Sequence, residues 1–209
     1  MDPIARAMFM GTAGAQTTPV EYVTQANISN QSSDASRTLT ISSGFNVGDV
    51  IIAMTGNRTS TPPSVASGYT DIVSTYGTWS IYPASYRRSM RLQYKIATNT
   101  TESISWIGSF GWMVILRNFT GIGQSTSLYQ NAISSTPPTP SISGLDASGR
   151  GYLITTTYLS SDIVGVDSPY SLISPFGGVV SENTASSLPS VNFSVSSSMF
   201  HLSAVVEVL

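Results

Sequence analysis

The sequence predicts an all-β fold: an antiparallel β-sandwich of jelly-roll-like form behind an extended N-terminal arm. Apolar residues recur with a period of two along most of the chain, and no window holds a sustained i, i+3, i+4 stripe with helix caps. Clusters of Gly, Pro, Ser and Asn separate about ten short runs at intervals of roughly 8 to 15 residues, the spacing of sandwich strands and their turns. At 209 residues the chain is long enough for one well-buried core, since a domain of this size removes roughly 70% of its unfolded surface from water. A single sandwich domain over residues 20–209 is therefore expected, with residues 1–19 as the arm.

The arm is rich in Ala, Gly and Thr and carries an apolar knot at Met8, Phe9 and Met10. Exposed Met and Phe are costly unless covered, and Met fills irregular pockets well. Two readings follow: these three residues dock on a neighbouring subunit, or the arm is a disordered tail.

Strands are expected near Val20–Ala26 and Arg37–Ser42. Next come Gly48–Thr55 (GDVIIAMT) and, further on, Gly111–Phe119 (GWMVILRNF). Both are apolar on their two faces, the mark of central strands covered on each side. Tyr69–Ser74 is a further strand. Met90–Ala97 alternates, with Met90, Leu92, Tyr94 and Ile96 on one face and Arg91, Gln93 and Lys95 on the other. Its polar face should meet solvent or a neighbouring subunit. Glu102–Gly108, Ser127–Ile133, Gly151–Leu159, Ser190–Ser196 and Met199–Leu209 complete the set. The segments TSTPPS at 59–64, STPPTP at 135–140 and Ser168–Gly178 read as connections.

Charge narrows the function classes. Only 10% of residues are charged, far below the roughly 25% of an ordinary soluble domain, so the surface is built from Ser, Thr, Asn and Gly. Nine basic against eleven acidic residues, with Lys95 the single lysine, leave no cationic footprint for nucleic acid or a membrane surface. There is no cysteine, hence no disulfide framework, thiolate metal site or thiol nucleophile. The N-terminal residues show no signal-peptide core and no apolar run of membrane-spanning length.

Catalytic constellations are not evident. A Ser-His-Asp arrangement needs an imidazole, and the lone His201 lies in the last strand, on the face of Ser203, Val205 and Glu207, opposite Phe200, Leu202, Ala204, Val206 and Val208. A hydrogen-bonded surface or interface histidine is the simpler reading. The acids are scattered singly, whereas a glycosidase needs a pair across a cleft. Asp49, after Gly48, suits a turn or capping role, and Asp162 with Asp167 is too sparse for a Ca²⁺ site. No catalytic residue, metal or cofactor is expected.

The most distinctive segment is TYGTWSIYPASYRR, which reads as a loop bearing Tyr76, Trp79, Tyr82 and Tyr86 beside Arg87 and Arg88. Such residues stack on apolar sugar faces, and they are also enriched at interface hot spots. A subunit contact, a glycan contact and simple packing over the sandwich edge all remain open.

Several short blocks occur in a recognisable order. They are GDVII at 48–52, SGYT at 67–70, YKIA at 94–97, WMVILR at 112–117 with Gly121 following, and GYL at 151–153. In this order the chain resembles the β-sandwich domain of tailed-bacteriophage virion structural proteins, over residues 20–209 and excluding the arm. The resemblance implies a non-enzymatic protein on the particle exterior, assembled in the host cytoplasm. It would serve as a capsid decoration or cement protein, or as a tail fibre or adsorption protein binding a host surface glycan. Its partners would then be further copies of itself, with a trimer among the candidate homo-oligomers, and other virion proteins such as the major capsid protein. Fold membership alone does not choose among these roles.

Overall fold

The computed structural model describes residues 21–28, 34–81, 84–118, 121–134, 142–143, 151–158, 163–166, 171–174, 178–183, 187–188, 193–195 and 199–208. The arm, with Met8, Phe9 and Met10, lies outside the described residues, as do Tyr82, Asp162 and Asp167.

Every described element is a strand, and every pairing between them is antiparallel. In chain order they are β1 (Glu21–Ile28), β2 (Ala35–Ile41), β3 (Val50–Asn57), β4 (Thr70–Ile81), β5 (Ala84–Ile96), β6 (Glu102–Gly108), β7 (Phe110–Arg117) and β8 (Ile122–Ser134). Then follow β9 (Ile142–Ser143), β10 (Gly151–Tyr158), β11 (Ile163–Val166), β12 (Ser171–Ser174), β13 (Gly178–Asn183), β14 (Ser187–Leu188), β15 (Phe193–Val195) and β16 (Met199–Val208). The fold is an all-β sandwich-like arrangement. Two five-stranded sheets, β1-β7-β3-β5-β4 and β12-β13-β10-β16-β8, are joined by three two-stranded pairs, β11-β15, β14-β9 and β2-β6.

The first sheet is a middle layer. Alternate residues of β3 enter different cores: Val50, Ile52 and Met54 pack with Met90, Leu92, Trp112, Val114 and Leu116 against Leu202, Ala204 and Val206 of the second sheet. Ile51 and Ala53, with Met113 and Ile115 of β7, face the other way, onto Leu39, Ile41, Ile104 and Trp106 of the β2-β6 pair and onto Phe45 and Tyr69. This explains why β3 and β7 are apolar on both faces, as their sequences predicted. Gly48, with φ of 98°, makes the left-handed turn into β3.

The polar face of β5 departs from expectation. Much of it is covered from within the chain: the segment from Arg58 to Gly68 lies over Arg91 and Gln93, and Lys95 pairs with Glu102, leaving Arg91 and Lys95 partly exposed. Arg91 Nε donates to the Pro63 carbonyl at 2.6 Å, Gln93 Oε1 accepts from the Ala66 amide at 2.7 Å, and the Ser89 hydroxyl lies 2.9 Å from the Thr61 carbonyl. Gln93 and Ser89 are consequently fully buried, while Ile96, expected on the apolar face, is 42% exposed. The Pro-rich segment thus caps the sheet as well as connecting strands.

Strand boundaries differ chiefly where polar residues dominate. β4 runs seven residues past Ser74, and β5 begins at Ala84 rather than Met90, so the segment read as an aromatic loop is largely β-structure. Ser168–Gly178, read as a connection, contains β12, and the described part of the strand expected over Ser190–Ser196 is β15. Cross-strand hydrogen bonding holds such Ser- and Gly-rich stretches without an apolar alternation to announce them.

Candidate functional site

Strands β4 and β5 form a ribbon that outruns the sheet. Its last pair with a third strand is Ser89 opposite Asn57 of β3. Beyond it, among the described residues, only β4 and β5 continue, through Gly77–Arg88, Thr78–Arg87, Trp79–Tyr86, Ser80–Ser85 and Ile81–Ala84. At ~3.4 Å per residue these pairs extend the ribbon by about 17 Å.

The register divides the aromatic and basic candidates between two faces. Residues directly opposite in an antiparallel pair share a face, and successive residues alternate. Arg88 falls on the face that Met90 and Leu92 bury lower down, whereas Tyr76 and Arg87 fall on the other; the backbone of Trp79 lies opposite that of Tyr86. Tyr76 is 59% exposed and Arg87 is exposed, while Arg88 is half-buried and donates from Nη1 to the Arg87 carbonyl at 2.8 Å. The sequence presents these residues as one cluster; a two-residue strand period makes them two.

Five of the described carboxylates are bound into the framework. Asp34 accepts the Arg58 amide at 3.0 Å, Asp71 pairs with Arg91 at 2.6 Å, and Glu207 accepts the Gln124 amide at 2.9 Å. Burial pushes the Asp49 carboxyl up, but bonds from Arg117 and the Asn46 amide, with the guanidinium charge, outweigh it and hold it below the ordinary value. Glu102 is similar: burial raises it, and Lys95 together with the Thr98 and Asn99 amides lowers it further than burial lifts it. The turn role expected of Asp49 is met by its bond to Asn46 at 2.8 Å.

Glu102 and Lys95 form an ion pair beside Tyr69, with the Lys95 ammonium 5.2 Å from the ring centroid. Burial, then the nearby Glu102 charge, pushes the Tyr69 phenol up. The group ties β5, β6 and the turn before β4 together. At the other end of the chain, the backbone of His201 lies opposite Gln130 of β8. Among the described residues, no three of His, Asp and Glu gather as metal ligands.

A cleft of about 430 Å³ opens between β6 and the capping segment. Its walls include Thr59, Pro62, Pro63 and Val65 on one side and Ser105, Trp106 and Ile107 on the other. Among the described residues, no charged one lines it. Val65 is 40% and Ile107 71% exposed, whereas Trp106 is buried and its enclosed indole N–H has no acceptor among the described residues. Sequence reasoning missed this feature because its two walls lie some forty positions apart and neither carries a chemical motif. The TSTPPS cluster was the one local signal, and it reads equally well as a turn.

Comparison of the chain with protein-family models, with curated proteins and with solved structures finds no match.

Proposed function

We propose that the protein is a non-enzymatic structural component on the exterior of a tailed-bacteriophage particle, acting as a decoration or cement subunit. The supporting observation is the overhanging β4-β5 ribbon. A two-stranded ribbon is marginal in water by itself, and this one carries exposed Arg87 with exposed Tyr76 at its root, residue types that dominate protein contacts. The low charge of the chain suits packing against neighbours, because little Coulomb repulsion opposes it. The engagement of Asp34, Asp49, Asp71, Glu102 and Glu207 in structural bonds favours contact over acid-base chemistry.

In this reading the protein stabilises a shell by burying surface between subunits, and mass action favours the assembled state. Cosedimentation with isolated phage capsids is the direct test. Retention that drops in Tyr76→Ala/Arg87→Ala, with thermal stability unchanged, supports decoration. Binding to host-cell glycans instead, lost in the same variant, moves the protein to the adsorption role, and turnover of a polysaccharide removes the structural reading altogether.

A further inference from the structure

We propose that the cleft beside β6 is the docking site of the chain's own N-terminal segment, with Met8, Phe9 and Met10 seated between Val65 and Ile107. The inference stands apart from the particle assignment and rests on three observations.

Strand β6 is paired only with β2 among the described residues, and no β2 residue lines the cleft. The cleft therefore lies along the edge of β6 that β2 leaves free, with the Pro-rich segment as its far bank. Alternate backbone groups of an unpaired edge strand point away from the existing partner, offering a ready template for an extended chain. The volume falls within the range of binding pockets, ~300 to 1,000 Å³, and its lining offers apolar contact from Val65, Ile107 and Pro63.

The chemistry of the site selects the occupant. An uncharged cleft bordered by hydroxyls gives no purchase to an ionic ligand. Residues 7–20, AMFMGTAGAQTTPV, hold no charged side chain, and their Gly, Ala and Thr permit an extended backbone in a narrow slot. Three large flexible apolar groups, which water penalises, sit together at one end of that stretch.

Reach is sufficient. Glu21 stands opposite Arg117, at the end of β1 remote from the cleft, and Ile28 stands opposite Gly111, at the near end. The eight residues of β1 span about 26 Å, and the eleven steps from Met10 to Glu21 cover up to about 36 Å when extended. The segment can thus enter the cleft of its own chain or of an adjacent copy.

The absence of cysteine makes disulfide trapping specific. Phe9→Cys/Ile107→Cys is oxidised in parallel with Phe9→Cys/Tyr76→Cys, whose second site is also exposed but lies on the ribbon. Several-fold preferential trapping at position 107 is expected, and the monomeric or dimeric mobility of the product reads which copy supplies the segment. In a second measurement, deleting residues 1–18 should speed amide exchange at 105–107 while leaving β3 protected. Equal trapping at the two sites, or exchange at 105–107 indifferent to the deletion, overturns the proposal. Protection that persists without residues 1–18 and vanishes on dilution assigns the edge to β6 of a second copy and overturns it equally.

Discussion

Arg117 grips Asp49 with both arms of its guanidinium: Nε donates to Oδ1 at 3.1 Å and Nη2 to Oδ2 at 2.9 Å. The pair joins the end of β7 to the entrance of β3, and the same carboxylate fixes the Asn46 turn. Asp49 is 6% exposed, so its charge has exchanged water for these three donors, an arrangement that holds only while the carboxylate is ionised.

Acid should therefore weaken the fold through Asp49 and Glu102. Both have folded-state values below their ordinary ones, so each contributes stability that is fully present above its unfolded value and is lost as pH falls through the lowered folded value. Urea midpoints measured from pH 7 downward should stay level to about pH 5 and then decline. Asp49→Asn should remove the Asp49 share, giving a lower midpoint at pH 7 and a shallower acid slope.

Glu102 closes the turn before β6 by accepting the Thr98 amide at 2.7 Å and the Asn99 amide at 3.1 Å while pairing with Lys95. Glu102→Ala leaves two amides and the ammonium without their acceptor, and stability should fall by about 2 to 3 kcal/mol. Chemical denaturation gives the magnitude. Lys95→Met should cost less, because the carboxylate keeps its backbone donors.

Gly56 is required by packing. A Cβ there would collide with the ring of Phe110, which is fully buried. Gly56→Ala must displace that ring within a close-packed core, and about 3 kcal/mol of destabilisation is expected, seen as a lower thermal midpoint with reduced yield of folded protein. Phe110→Leu in the same background should recover part of the loss.

The central strands were legible because burial on both sides leaves a continuous apolar run, as in VIIAM at 50–54 and WMVIL at 112–116. The overhanging ribbon was not, since its pairing depends on backbone bonds across Gly77, Thr78, Ser80 and Ser85, which carry no alternation. Tyr76, Arg87 and Arg88 could be singled out by type, yet their division between two faces required the register. The cleft was hidden for a different reason: it exists only because the Arg58–Gly68 segment folds back over β5, a tertiary event that Pro62 and Pro63 permit without specifying.

Gln93 is the residue on which that fold-back turns. It is fully buried, its Oε1 accepts the Ala66 amide, and its Nε2 donates to Thr55 Oγ1 at 3.2 Å. Gln93→Leu keeps much of the volume but leaves the Ala66 amide without an acceptor, at a cost of about 1 to 3 kcal/mol. Because Arg91 and Ser89 still hold Pro63 and Thr61, the loss should be local to the far half of the segment. Limited proteolysis should accordingly cut near Val65–Ser67 faster in Gln93→Leu than in the parent, whereas the β3 amides keep their exchange protection. Uniform loosening of both regions would instead make Gln93 a global core residue with no special hold on the cleft wall.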